Sequence, residues 1–496
     1  MRSRAENIRF QSCCPAPCVP VNSSSWVVFV CGLLLLGAGS ACGGAASTPA
    51  GNPVPTLAGA SVTSAWVGSG PIPIRLTGTD FVAGAMAQWN GATLSSSFVS
   101  SAELDTTIPV ASLSSAGTAA LTVLNPGPGG GRSPALSFVV SEPPPETGYV
   151  VGVDYHAYTT DFNAAAFVTQ YNDPTVRATV QSQLQGIADG GGDVISTRIW
   201  LVTPAGGDDF GQTWRAHFPL GDQEQTNLRA FAQDVAGVTG NTGNHLQLDL
   251  CLLWLGSADY TLGSPPTGIG SSDLSASQFT AQVQLTIDKV LAAVSDVKGP
   301  DGVPVVGTIY FDGEIALEKA NIQWFLSTHY PGFVSKVLSA GLRPSAYLQA
   351  ECTEDIVLDN GFTDAAYPIL NGHRSVARAY RMLRWMSDQG LYLAPRTDFD
   401  CYPLSAGAPI SQLVKRVLDD ADATFSSLGV PNSYSIPETS YWLDSTARLG
   451  LGQAWADDTA QNPRLKRLTF WTTPNNGDGL SDDVAYPFGI QDYLPR

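Results

Sequence analysis

The run LQLDLCLLWLG (246–256) decides the fold. It is apolar on both alternations, with Gln247 and Asp249 as its only polar members. A strand with one wet face alternates apolar and polar residues. A strand apolar on both faces is covered on both, as in a parallel sheet flanked by helices. Residues 275–297 follow with Phe279, Val283, Ile287, Leu291 and Val294 spaced by three or four, the period of a helix with one buried face. Then comes a second apolar run, VPVVGTIYFDGE (303–314). Strand, helix and strand in that order make a βαβ unit.

The same alternation extends in both directions. Upstream lie YVVGVDYH (149–156) and VISTRIWLV (194–202). Between them Asp173-Pro174 opens a helix with Val176, Val180, Leu184 and Ile187 on one face. Downstream lie RPSAYLQAE (343–351), TDFDCYP (397–403), YSIPE (434–438) and RLTFWTTP (467–474). Eight strands separated by helical patterns over 148–496 predict an α/β TIM (β/α)8 barrel. An open doubly wound sheet is the competing arrangement. It is disfavoured because no Gly-rich nucleotide loop follows the first strand.

The front of the chain is of another kind. Residues 53–142 hold short alternating runs between turn signals, as in Leu136, Phe138 and Val140. Asn90-Gly91 and the Pro/Gly cluster from Asn125 to Gly131 mark turns. This spacing predicts a small all-β sandwich. The strings LTGTDFVAGAMAQWNG (76–91), AGTAALTVLNPGPGGG (116–131) and SPALSFVVS (133–141) resemble the immunoglobulin-like IPT/TIG domain. That resemblance implies a fold and a spacer or contact role. Trp89 is read as core packing in preference to a sugar platform. The stretch 143–147 (PPPET) is a stiff linker.

Residues 1–41 read as a signal peptide. Arg2, Arg4 and Arg9 precede WVVFVCGLLLLGA (26–38), too short an apolar run for a comfortable bilayer span. Gly39-Ser40-Ala41 then precede Cys42, which resembles a bacterial lipoprotein signal and implies lipidation at Cys42. Residues 42–52 form a small-residue tether. The protein is expected to be exported, as a cell-surface or periplasmic lipoprotein or in secreted form, with the membrane engaged only through that N-terminal anchor.

Charge excludes some partners. With 44 acidic residues against 26 basic ones, the formal net charge is −18, which argues against nucleic acid and anionic lipid surfaces. Five of the eight cysteines lie within the first 42 residues. The remainder make neither a disulfide framework nor a zinc site, and are expected as buried fillers. No P-loop, HExxH or GxSxG occurs, so no metal or cofactor is expected.

In such a barrel the chemistry lies at the C-terminal strand ends. Reading them in order gives Asp154 and His156; Arg198 and Trp200; Trp254; Asp312 and Glu314; Glu351; Asp398, Asp400 and Tyr402; Glu438, with Trp442 beyond; and Trp471. Carboxylates and aromatic rings dominate. Glycosidic cleavage needs one carboxyl group to protonate the leaving oxygen and another to attack or to activate water. Aromatic faces stack on sugar rings.

At these positions the domain resembles the clan A glycoside hydrolases, whose acid/base Glu ends the fourth strand and whose nucleophile Glu ends the seventh. Glu314 and Glu438 match those places. Arg198 matches the family's second-strand Arg, Tyr402 its tyrosine beside the nucleophile, and Trp471 its eighth-strand Trp. The family's Asn before the acid/base is Gly313 here. The resemblance implies a retaining glycosidase acting on a poly- or oligosaccharide, and the chain is expected to be a monomer. Asp154, His156, Trp200, Trp254, Asp312, Glu351 and Trp442 are the further substrate-binding candidates. Loops 203–222 and 256–274 are expected to frame an extended cleft. Two alternatives stand beside it. Asp312-Gly313-Glu314 also resembles the end of the chitinase DxxDxDxE motif, with the substrate's acetamide as nucleophile. A non-catalytic surface protein that binds glycans or mediates adhesion is the third reading.

Overall fold

The computed structural model describes residues 51–142, 150–155, 171–202, 215–217, 220–255, 276–315, 322–351, 377–402, 433–439 and 464–472, with the single positions 422 and 426. The signal, tether before Gly51 and Pro-rich linker fall outside these residues.

Residues from Thr56 to Ser141 build two β-sheets. One runs in the order β1 (Thr56–Ala60), β3 (Ile72–Thr79), β7 (Glu103–Ile108), β6 (Ser96–Ser100). The other runs β2 (Ser64–Trp66), β10 (Leu136–Ser141), β8 (Gly117–Asn125), β4 (Met86–Trp89), β5 (Ala92–Thr93), with β9 (Gly131–Arg132) beside β8. Alternate residues of both sheets are buried, Ile72, Ile74 and Leu76 from one and Leu121, Val123, Phe138 and Val140 from the other. Asn90 (φ 49°) and Gly91 (φ 88°) close the β4–β5 hairpin, both in the left-handed region that a two-residue turn of this hand requires. Trp89 is buried, its ring edge-on to Phe138 at 5.1 Å, so it serves the core.

The second part is a closed parallel barrel. Its eight strands are β11 (Val150–Tyr155), β12 (Val194–Val202), β14 (Gln247–Leu255), β15 (Val306–Ile315), β16 (Arg343–Glu351), β17 (Arg396–Tyr402), β18 (Ser433–Thr439) and β19 (Leu465–Thr472). Each pairs in parallel with its neighbours, and β11 pairs with both β19 and β12, which closes the ring. All eight strands fall where the apolar runs predict them. A ninth, β13 (Arg215–His217), lies inside the expected loop 203–222 and pairs with the end of β12.

The helices cover the ring as their periodicity requires. Helix α1 (Pro174–Asp189) starts at Asp173, whose carboxylate accepts the Thr175 N–H at 2.7 Å, and Pro174 stands at the first turn. It buries Val180, Leu184 and Ile187, while Val176 is half-buried. Helix α2 (Asp222–Gly237) buries Leu228, Phe231 and Val235. Helix α3 (Ala276–Val294) buries Val283, Ile287, Leu291 and Val294. Helix α4 (Ile322–Ser339) meets the outer side of β15, where Phe311 stands 5.7 Å from Tyr330 and 5.0 Å from Phe333, centroid to centroid. Helix α5 (Ala377–Asp388) precedes β17.

The two-sheet part packs on the barrel's N-terminal end. The Gly70 N–H donates to the Leu393 carbonyl at 2.8 Å, just before β17 begins. Ser335 and Ser339, at the end of α4, donate to the Ser61 carbonyl at 3.2 and 2.8 Å. This contact lies at the opposite end from the candidate carboxylates. A Cβ at Gly70 would stand 2.4 Å from the Leu393 nitrogen, so only glycine allows the approach. Gly70→Ala should therefore cost about 1–3 kcal/mol. Thermal unfolding followed by circular dichroism checks this, and an unchanged midpoint would show that the contact is dispensable.

Candidate active site

Strand register says which residues share the barrel interior, because paired residues of parallel strands lie on the same face. Asp249, Thr308, Tyr310, Arg396, Asp398 and Arg467 come from four different strands, are all buried and meet one another, so they define the inward alternation. Carried by the register, that alternation closes consistently around the ring. Arg467 pairs with Val150 and Trp471 with Asp154. Asp154 pairs with Ser196, and Ser196 with Asp249. Asp249 pairs with Thr308, and Tyr310 with Ser345. Asp398 pairs with Tyr347 and Ser435, and Ser435 with Arg467.

Asp154, Arg198, Trp200, Asp312, Glu314, Glu351, Asp400, Tyr402, Glu438 and Trp471 lie toward the C-terminal ends of these strands. Asp400 pairs with Glu438, and Glu351 with Tyr402. Trp254 pairs with Leu201 of β12. One expectation changes. Asp398, read as a mouth residue, lies fully buried within the barrel, one alternation step below Asp400. His156, Trp442 and Cys42 lie outside the described residues.

Both proposed catalytic carboxylates stand at ladder irregularities. Between Phe311 and Ile315, β15 has three residues where β16 has one, Tyr347. Asp312, Gly313 and Glu314 thus stand opposite a single partner. On β18, Ile436 and Pro437 oppose Phe399 alone, and Glu438 comes next. A bulge bends the strand and re-aims the residues beyond it, and it tolerates proline because the ladder is already interrupted there.

Beneath the mouth lies a sealed polar cluster. Arg467 Nη1 donates to Asp249 Oδ2 at 2.7 Å, and its Nη2 donates to Gln247 Oε1. The Tyr310 hydroxyl stands 3.0 Å from Asp249 Oδ2 and 3.2 Å from Asp398 Oδ1. Arg396 Nε lies 3.3 Å from Asp398 Oδ1. Thr308 Oγ1 accepts from Arg396 Nη2 at 2.9 Å and from Arg343 Nη2 at 2.8 Å. Burial pushes the Asp398 carboxyl above its ordinary range, against the pull of Arg396. Burial and the two carboxylates push the Tyr310 phenol far up as well. Gly307 is the extra residue between β14 and β15, and a Cβ there would stand 2.8 Å from Asp249 Oδ1. The signal for this cluster was present in the sequence, as charged residues inside apolar strands: Asp249, Arg396, Asp398 and Arg467.

No protein-family model and no curated protein sequence matches the chain. Among solved structures, a GH5 xyloglucanase of Bacteroides ovatus in complex with a XXXG heptasaccharide is 9% identical, with 89% of this chain and 98% of that chain covered and a TM-score of 0.36. A GH5-4 broad specificity endoglucanase from Ruminococcus champanellensis is 11% identical, with 70% and 95% covered and a TM-score of 0.38. A GH113 beta-1,4-mannanase is 9% identical, with 65% and 87% covered and a TM-score of 0.34. The barrel assignment rests on the strand order and closure of the ring itself.

Removing one ion of the sealed cluster strands its partner. Arg467→Met should cost about 3–5 kcal/mol by removing the nearest cation from Asp249, which keeps only Arg396 at 3.9 Å. Adding Asp249→Asn should recover part of that loss. Urea unfolding of the single and double variants measures both, and additive losses would show that the pair is uncoupled.

Proposed function

We propose that the protein is an exported retaining glycoside hydrolase acting on a poly- or oligosaccharide. The observation that carries the reading is the placement of Glu314 and Glu438. Both stand at bulges, at the ends of the fourth and seventh strands of one closed barrel. In this reading Glu438 attacks the anomeric carbon and forms a glycosyl ester. Glu314, held protonated by the nearby carboxylate, gives its proton to the leaving oxygen. It then takes a proton from the water that hydrolyses the ester. Arg198 and Tyr402 hold the nucleophile in its ionised form, and Trp471 stacks beneath the sugar ring.

The proposal extends to the flanking parts. The two-sheet region is an IPT/TIG-like immunoglobulin fold acting as a base for the barrel. The leader exports the chain and Cys42 carries the lipid, which mass spectrometry of the mature N-terminal residue would detect.

Substitution tests the pair directly. Glu314→Gln should lower kcat on polysaccharides by about 10²–10⁴-fold. Glu438→Gln should abolish turnover without loss of fold. The screen should include neutral, acidic and N-acetylated glycans. Activity confined to N-acetylated sugars, with Glu438→Gln fully active, would instead support substrate-assisted cleavage through Asp312 and Glu314. A parent chain inert on every glycan would leave the surface-binding reading.

A further inference from the structure

We propose that the two-sheet part is a rigid stand that turns the barrel mouth away from the surface carrying the chain's N-terminal side; this rests on the reading as a lipid-anchored glycosidase. The substrate is then a glycan polymer of the surroundings and not a glycan of that surface. The chain enters the sandwich at one end and leaves it at the other. Thr56 pairs with Thr79 and Ala60 with Leu76, so β1 starts beside the end of β3. Just before β1 the chain is clamped to the turn after β8. The Asn52 N–H donates to the Pro128 carbonyl at 2.7 Å, and the Asn52 side-chain amide donates to the Pro126 carbonyl at 2.8 Å. Asn125 Nδ2 donates to the Pro53 carbonyl at 2.9 Å and to the Asp80 carbonyl at 2.6 Å. Pro53, Asp80 and Asn125 thus meet at the entry end. The opposite end holds Ser61 after β1, Gly70 before β3, and Ser141, which closes β10 and accepts from the Val67 N–H at 2.8 Å. From there β11 begins at Val150, at the foot of the barrel.

A linker alone would let two domains swivel. Here separate contacts prevent it. The Gly70 N–H meets the Leu393 carbonyl before β17, and the Ser61 carbonyl is held by Ser335 and Ser339 of α4. Between them the Ser69 and Tyr392 hydroxyls stand 3.5 Å apart, both residues fully buried. A swivel would break the contacts to β17 and to α4 together. All of them lie at the N-terminal ends of the barrel strands, whereas the chemistry of such a barrel lies at the C-terminal ends. Entry point, sandwich, barrel foot and mouth therefore follow one another in that order. β3 covers about 23 Å between Ile72 and Thr79. β15, tilted as barrel strands are, rises about 24 Å from foot to mouth. The chain from Cys42 to Gly51 reaches at most about 32 Å. Set in series, the two lengths exceed that reach, so the tether cannot bring the mouth back to the surface that holds Cys42.

The full chain, with hexahistidine replacing residues 44–49, is bound to phosphatidylcholine vesicles that carry a nickel-chelating lipid and an acceptor-dye lipid. A donor dye is placed, through an azide-bearing residue that spares the native cysteines, at Ser101 or at Ser257. Ser101 is exposed at the entry end, where its carbonyl accepts from the Phe81 N–H, and Ser257 lies just beyond the C-terminal end of β14. Energy transfer from Ser101 should exceed that from Ser257 several-fold. Equal or reversed transfer overturns the inference. A protease site in place of 143–147 tests the stand by itself: after cleavage the two halves should still elute together on size exclusion, and halves that part overturn it. Neither readout uses turnover, so a chain inert on every glycan loses the glycosidase reading and keeps the orientation. For any glycan the parent hydrolyses, vesicle-bound protein in dilute suspension should degrade it in solution at the rate of free protein. It should spare the same glycan displayed as a lipid conjugate on its own vesicle. Cleavage of that conjugate at the soluble rate overturns the assignment of substrate.

Discussion

The 2.7 Å contact between Arg467 Nη1 and Asp249 Oδ2 joins the eighth barrel strand to the third through the interior. Such a pair can form only if the ring is closed and each strand is in register. Buried ions are costly to desolvate, so this cluster is not a store of stability comparable to an apolar core. Its contribution is geometric. Asp249, Tyr310, Asp398, Arg396 and Arg467 hold five polar side chains in one arrangement, and a slip of one residue in any contributing strand would break it.

The ladder is irregular within this floor, at Gly307, and again above it on the two strands that carry the proposed catalytic carboxylates. β15 sets Asp312, Gly313 and Glu314 against one residue of β16, and β18 inserts a residue at Ile436-Pro437 just before Glu438. The sealed cluster ties distant strands together, and the proposed catalytic residues lie at irregular strand ends. The two-sheet part adds to this from below, by fixing α4 and the entry to β17 at the far end.

Much of this was legible in the sequence. Apolar runs such as Val194–Val202 and Gln247–Leu255 marked barrel strands, because a strand covered on both faces is apolar on both alternations. Asn90-Gly91 marked its hairpin because few dipeptides accept two left-handed residues in succession. Three things were not legible. Which residue of the next strand a strand-end aromatic such as Trp254 pairs with depends on register, which one strand's sequence does not contain. Asp398 and Asp400 look alike as letters, yet one is sealed in the floor and the other is paired with Glu438. β13 is three residues long, and Arg215–His217 has no hydrophobic period of its own to announce it.

The central claim is that Glu314 and Glu438 converge on one glycosidic bond. The most direct measurement is the separation of their carboxyl groups in a crystal structure of the full chain with an oligosaccharide bound. A retaining pair flanking the bond predicts roughly 5–5.5 Å. Carboxyl groups well beyond the roughly 9.5 Å that an inverting water could bridge would contradict the account.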